Sequence, residues 1–202
     1  MSSVKIVDYG IGNLRSVEQA FIHEGINAVF VHTPEEILAA ERLVLPGVGA
    51  FGDGMTELNK HGLTDAIRQY AASDRPLLGI CLGMQLLFDS SDETPDIPGL
   101  GVLPGRVVRF SNDHGLKIPQ IGWNQLSVTP GSRLLDGCDR SFVYFVHSYY
   151  AKPAMQSDIA ATADYGDLFT AAVERGRVGG CQFHPEKSQD AGLHIVRNFL
   201  KI

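Results

Sequence analysis

Leu77-Leu78-Gly79-Ile80-Cys81-Leu82-Gly83-Met84-Gln85 sets a short apolar run against a Gly-x-Cys-x-Gly turn, with helix-forming residues directly after it. Such a run reads as a buried strand, and a strand passing straight into a helix through a tight turn is the layout of a nucleophile elbow, here with a thiol at its tip. The residue at that tip sits in a strained backbone conformation, and a Cβ at Gly79 or Gly83 would collide with the strand-to-helix crossing. Cys81 then stands above the sheet edge. A helix opening at about Leu82 turns the positive end of its dipole toward the sulfur and favours the thiolate. The segment alone also fits a small buried cysteine packed between two glycines, the ordinary place of a free thiol.

Near the other end, residues 178–183 read as another apolar strand and run into His184-Pro185-Glu186-Lys187-Ser188. Pro185 fixes the backbone between an imidazole and a carboxylate two residues later, so His184 can act as general base and Glu186 can orient it. With Cys81 they make a complete thiol triad. His147, within Val143-Tyr144-Phe145-Val146-His147-Ser148-Tyr149-Tyr150, is a second candidate base but has no neighbouring acid in sequence to hold it. His184 and Glu186 could instead ligate a metal, yet no His-x-x-x-His or Cys-x-x-Cys spacing accompanies them and Cys138 stands by itself. No metal site is expected. His23, His32, His61, His114 and His194 read as surface or helix-face residues.

Around these segments strand and helix patterns alternate. Residues 4–8, 28–31, 43–45 and 77–80 read as strands. Residues 14–24 carry Val17, Ala20 and Phe21 at helical spacing and stop at Gly25, and residues 63–72 repeat the pattern. Thr33-Pro34-Glu35-Glu36 combines an N-cap, a first-turn proline and a capping-box glutamate. Residues 89–96 form an acidic loop, read as solvated and without chemistry. Short strands follow at 106–110, 117–121, 142–147, 159–163, 168–174 and 178–183, and a helix at 190–200 carries Leu193, Val196, Arg197 and Leu200. The expectation is an α/β fold with a central, mostly parallel sheet that becomes mixed, flanked by helices, in one domain over residues 1–202.

Composition bounds the function. A chain of 202 residues, 44% hydrophobic, suffices for one well-filled α/β core. A net charge of −6 supplies no basic field for nucleic acid or an anionic membrane. The sequence shows no signal-type or transmembrane apolar stretch, and its three scattered cysteines, odd in number, argue against a disulfide framework. These features fit a reducing cytoplasm.

Pro46-Gly47-Val48-Gly49-Ala50-Phe51-Gly52 follows a strand directly, which places it at the same carboxyl edge as Cys81. Attack of a thiolate on an amide creates an oxyanion, and N–H groups of such a turn, with the amide of Leu82, can donate to it. A phosphate cradle is the alternative use of a glycine loop, but the Gly-Lys-Ser/Thr ending and the regular Gly-x-Gly-x-x-Gly are both missing.

Taken with Gly79 to Gln85 and His184-Pro185-Glu186, this loop resembles the class I, triad-type glutamine amidotransferases, whose glutaminase fold is flavodoxin-like. Within them the pattern is most similar to the glutaminase subunits of imidazole glycerol phosphate synthase. The distinguishing residues are Asp8-Tyr9-Gly10-Ile11-Gly12-Asn13-Leu14, the Pro-Gly-Val-Gly loop, Gly122-Trp123-Asn124, Tyr144 to Tyr149 and His184 to Ser188. The resemblance implies hydrolysis of L-glutamine to glutamate and ammonia by Cys81, His184 and Glu186, without a cofactor. It implies an oxyanion hole at Val48, Gly49 and Leu82, and glutamine contacts at Gly47, Gln85, Ser148 and Tyr149. It also implies a (β/α)₈ cyclase partner that receives the ammonia in histidine biosynthesis, met by Asn13, Trp123, Tyr144 and Lys187; a core Trp123 and a solvated Lys187 are the plainer alternative. Rival readings are the glutaminase subunit of another synthase, such as that making pyridoxal phosphate, and a redox or binding protein with an elbow cysteine. The first would carry a Pro-Gly-Gly loop, and the second has no use for His184-Pro185-Glu186.

Overall fold

The computed structural model describes residues 3–111, 113 and 115–202. Its first half alternates as the apolar spacing predicts, through β1 (Ser3–Val7), α1 (Leu14–His23), β2 (Asn27–Val31), α2 (Pro34–Leu38), β3 (Leu43–Leu45), α3 (Phe51–Lys60), α4 (Thr64–Ala71), β4 (Leu77–Ile80) and α5 (Leu82–Leu86). α2 begins at a closed capping box, in which the Thr33 hydroxyl accepts from the Glu36 amide and the Glu36 carboxylate accepts from the Thr33 amide. α3 is a helix that the sequence pattern does not announce, because Gly52 and Gly54 dilute its propensity. Both glycines are packing positions. A Cβ on Gly52 would lie 2.7 Å from the Thr94 methyl, and one on Gly54 would crowd Leu82 and Leu86 at 3.1–3.2 Å.

The second half adds β5 (Ser90–Ser91), β6 (Gly105–Arg109), β7 (Gln120–Gln125), β8 (Ser127–Val128), β9 (Phe142–His147), β10 (Tyr149–Pro153), β11 (Ile159–Tyr165), β12 (Asp167–Arg175), β13 (Val178–Cys181) and the closing helix α6 (Gln189–Lys201). Two expectations are corrected. The strand read at 117–121 starts only at Gln120, since Pro119 has no N–H to give a ladder, and it continues to Gln125 against β9. The acidic run is not a solvated loop without work: it contains β5, Asp89 accepts from the Gly105 amide at 2.8 Å, and Glu93 accepts from the Phe51 amide at 2.7 Å, at the first turn of α3. His23, His32 and His61 are exposed and His194 is half-buried; His114 lies outside the described residues, as do Met1 and Ser2.

Eight strands form one sheet in the order β2-β1-β3-β4-β13-β12-β11-β8. The pairs from β2 to β13 are parallel and those from β13 to β8 antiparallel, the mixed sheet expected. The order 2-1-3-4 followed by the next parallel strand is the flavodoxin-like arrangement. Each face buries its own core. Val17, Phe21, Ile195 and Phe199 of α1 and α6 fill one side, and Ile37, Met55, Ile67 and Met84 of α2 to α5 fill the other. A three-stranded sheet, β10-β6-β5, and a two-stranded ribbon, β7-β9, complete the second half of the chain.

Candidate active site

Register brings the motifs together. β4 lies between β3 and β13 with Leu45 opposite Gly79 and Ile80 opposite Cys181, so Pro46, Cys81 and Gln182 leave the sheet at one edge. Cys81 has φ 54° and ψ −112°, in the region that side chains avoid, which is the strained tip the Gly-x-Cys-x-Gly pattern predicts. Its flanking glycines are obligatory. A Cβ on Gly83 would drive into the Leu45 carbonyl oxygen, and one on Gly79 would sit 2.7 Å from the Met84 backbone nitrogen. α5 behind the thiol is only 5 residues long, so the dipole it directs at the sulfur is that of little more than one turn.

His184 Nδ1 meets Glu186 Oε1 at 2.7 Å, with both side chains 2% exposed. Its Nε2 is buried and has no partner in hydrogen-bonding geometry, with the Cys81 thiol the neighbour that acts on the ring from that side. Burial works to lower the imidazole pKa, but Cys81 and Glu186 together outweigh it and raise the group to about 10. The turn is stapled to β9. Ser188 Oγ donates to the His184 carbonyl at 2.7 Å and accepts from the Tyr144 amide at 3.0 Å, while the His184 amide donates to the Tyr144 carbonyl at 3.0 Å.

His147 is placed differently. Its Nδ1 lies 2.8 Å from the Tyr149 carbonyl and its Nε2 2.9 Å from the Gln120 side chain, amid the rings of Phe110, Phe145 and Phe169. Burial lowers its pKa to about 4, the Tyr149 carbonyl opposes that, and nearby His184 adds to it. A neutral ring with both nitrogens engaged is a wall of the site rather than its base.

A cavity of about 270 Å³ opens over the thiol, lined by Val48, Gly49, Cys81, Leu82, Gln85, Glu93, Ser148, Tyr149 and His184 among others. A larger one, about 560 Å³, lies by Arg68, Leu103 and Arg177 and contains no nucleophile. The donors expected for an oxyanion are not assembled in this conformation: the Leu82 amide donates to the Gly47 carbonyl at 3.3 Å, and Val48 is exposed. Tyr9 holds the root of that loop through a hydrogen bond to the Pro46 carbonyl at 2.8 Å. Gln85 gives both its amide hydrogens away, to the Tyr149 carbonyl and Gln182 Oε1, each at 2.9 Å, which leaves its own oxygen for a ligand. Sequence reasoning missed Glu93, hidden in an acidic run, and Gln182 and Ser188, whose side chains reveal a partner only once the strands are aligned.

Trp123 is 47% exposed, so the core reading fails. It stacks edge-on with Tyr144 at 6.0 Å, and Lys187 Nζ stands 5.9 Å over the Tyr144 ring. Asn13 is exposed at the start of α1. Among the described residues no group of three or more His, Cys, Asp or Glu could hold a metal ion.

An elbow thiol, a His–Glu pair and a glycine loop at the carboxyl edge of a flavodoxin-like sheet define a triad amidohydrolase site. The model of the family described as glutamine amidotransferase class-I matches residues 5–202, and the chain belongs to that family. Among curated proteins it is 49% identical over 202 residues to imidazole glycerol phosphate synthase subunit HisH of Syntrophotalea carbinolica, with 97% of this chain and 98% of that one covered. It is also 49% identical over 201 residues to imidazole glycerol phosphate synthase hisHF, chloroplastic, of Arabidopsis thaliana, covering 98% of this chain but only 34% of that longer protein. Of solved structures, one titled crystal structure of glutamine amidotransferase superposes with a TM-score of 0.78 at 26% identity, over 99% of this chain and 98% of the other.

Proposed function

We propose that this chain, as a single domain over residues 1–202, is the glutaminase subunit of an imidazole glycerol phosphate synthase, hydrolysing L-glutamine to glutamate and ammonia for a cyclase partner in histidine biosynthesis. The observation that carries it is the buried His184–Glu186 pair at 2.7 Å beside a thiol on a strained elbow. A redox or binding protein would leave that pair without a task.

Cys81 gives its proton to His184 Nε2 and attacks the side-chain amide carbon of glutamine. His184 returns the proton to the departing ammonia, and Glu186 stabilises the imidazolium between the steps. Water, deprotonated by His184, then cleaves the γ-glutamyl thioester. Gln85, Ser148, Tyr149 and Gly47 hold the glutamine, and Glu93, the one carboxylate on the cavity wall, faces its α-ammonium group. The oxyanion is received by Leu82 and the Val48–Gly49 backbone once the Gly47–Val48 peptide turns over. That rotation exchanges the Gly47 carbonyl for the Val48 N–H, because both belong to one peptide unit, and it frees the Leu82 amide at the same time.

The partner face is the β7-β9 ribbon. Register places Ile121, Trp123 and Gln125 opposite Val146, Tyr144 and Phe142 on one side, and Ile121, Trp123 and Phe142 are all exposed there. Lys187 and Asn13 flank the same docking surface in this reading. No helix among the described residues is long and apolar enough to cross a membrane. The three free thiols support a reducing compartment, the cytoplasm.

The test is ammonia release from glutamine by the free chain, by its complex with a cyclase subunit, and by the complex loaded with cyclase ligand. Turnover is expected to be poor in the free chain and to rise by about 10²- to 10³-fold when the missing oxyanion donor is supplied. No glutamine-dependent ammonia in any of the three would refute the assignment. Equal rates in all three would remove the gating by the loop and leave the triad standing.

A further inference from the structure

We infer that Gln182 is a further catalytic residue of this site: its side-chain amide donates a hydrogen bond to the Cys81 sulfur and stabilises the thiolate, at the end of a relay of amides that starts at Tyr149. The inference deepens the glutaminase reading and rests on it.

Gln182 is completely buried, a costly place for an amide unless each of its polar atoms has a partner. It lies just past the end of β13, where the chain bends before His184, and from that bend its side chain reaches the thiol. Its Nε2 lies 3.8 Å from Cys81 Sγ and its Oε1 2.9 Å from Gln85 Nε2. Which end of a glutamine amide carries the hydrogens is ordinarily ambiguous. Here the network decides it. The Tyr149 carbonyl can only accept, so the Gln85 group facing it at 2.9 Å is the NH₂. The second hydrogen of that NH₂ requires an acceptor, so Gln182 presents its oxygen to Gln85 and its own NH₂ to the sulfur.

A neutral thiol is a weak acceptor and a thiolate a strong one, so the buried NH₂ of Gln182 is satisfied best when Cys81 is ionised. In the cycle the Cys81 proton passes to His184 Nε2, and the thiolate then accepts from Gln182 and the imidazolium. Forming the S–C bond neutralises the sulfur and moves an electron pair to the carbonyl oxygen; collapse of that oxyanion breaks the C–N bond as His184 gives its proton to the nitrogen, ammonia leaves, and the Gln182 bond is slack in the thioester. When water attacks and the C–S bond breaks, the electron pair returns to sulfur and the bond re-forms. Gln182 thus assists the thiolate both as it is generated and as it leaves. The other titratable groups around the thiol are His184 with Glu186, Tyr9, His147 and Glu93.

Gln182→Met keeps the size of the side chain and removes the donor; Gln182→Glu keeps an acceptor for Gln85 and removes the donor to sulfur. Iodoacetamide alkylation, mapped to Cys81 in the free chain across pH, should shift its midpoint upward by about one unit in Gln182→Met and further in Gln182→Glu, where a carboxylate adds like-charge repulsion. In the complex with a cyclase subunit, kcat for glutamine should fall about 10- to 100-fold, the ordinary worth of a hydrogen bond to a charged group, with KM little changed in Gln182→Glu, which keeps the acceptor for Gln85. The γ-glutamyl thioester should accumulate in intact-mass spectra, since departure of the thiolate is slowed. Synthesis from added ammonium salts should stay at the wild-type rate. A folded variant that alkylates with the wild-type pH profile would overturn the inference; if Gln182→Met melts early, Gln182→Leu decides, because the carboxylate of Gln182→Glu raises the midpoint by repulsion alone. If the wild-type complex releases no ammonia from glutamine, the glutaminase reading fails, while the alkylation profile still decides the hydrogen bond.

Discussion

Two histidines stand near the thiol, and their surroundings give them opposite characters. His184 is raised to about 10 because Cys81 and Glu186 overcome a burial that works to lower it, whereas His147 is held down to about 4 by burial among aromatic rings. His184→Asn should therefore reduce glutaminase turnover most, by about 10²- to 10⁴-fold, with Glu186→Gln intermediate and His147→Asn smallest. Steady-state assays of the three folded variants in the complex check this, and a larger loss from His147→Asn would overturn the base assignment. The same two groups affect stability at opposite ends of the pH range. His147 has a folded value below its ordinary 6.5, so its contribution is present above 6.5 and is lost as pH falls through about 4. That is worth about 3 kcal/mol at the most. His184, raised above 6.5, contributes fully below that value and loses its contribution as pH rises through about 10. Urea midpoints from pH 7 to 4 should accordingly fall less steeply in His147→Gln than in the wild type.

At the scale of elements, what was legible in the sequence follows from how local each signal is. The elbow, the capping box of α2 and the strands β1 to β4 are written in contiguous residues, and they form where the pattern puts them. α3 was not legible because Gly52 and Gly54 answer to Thr94 and α5, contacts that only the folded chain makes. The His184–Glu186 pair was legible because His184-Pro185-Glu186 is contiguous; the contacts of Gln182, Glu93 and Ser188 were not, because each acquires its partner across strands or loops. The Ser188 staple gives an element-level prediction. It joins the His184 turn to β9 through hydrogen bonds on both sides of one buried hydroxyl. Ser188→Ala leaves the Tyr144 amide without that acceptor and should cost about 1–3 kcal/mol in chemical denaturation. Turnover should fall with it, since the turn that aims the imidazole is loosened. An unchanged midpoint would show that the staple holds nothing.

For the whole molecule, the arrangement of the sheet puts the candidate site and the proposed docking ribbon on a shared support. β9 carries Tyr144 on its exposed face, pairs with Trp123 of β7, and accepts the His184 amide at the Tyr144 carbonyl, so a protein seated on the ribbon would touch a strand bonded to the proposed base. The Gly47 carbonyl, which occupies the Leu82 amide in the free chain, gives such a partner something to change. A ligand-loaded partner acts by binding one loop state better than the other, and equal affinity for both would shift nothing. The central claim is that Cys81 is the nucleophile of a glutaminase whose ammonia serves a separate synthase. Its most direct test is imidazole glycerol phosphate formation by the complex of a cyclase subunit with wild-type or Cys81→Ala chain, supplied with either glutamine or ammonium salts. The account predicts that Cys81→Ala loses glutamine-supported synthesis by several orders of magnitude and keeps ammonium-supported synthesis at the wild-type rate. Near-normal synthesis from glutamine by the Cys81→Ala complex would contradict it.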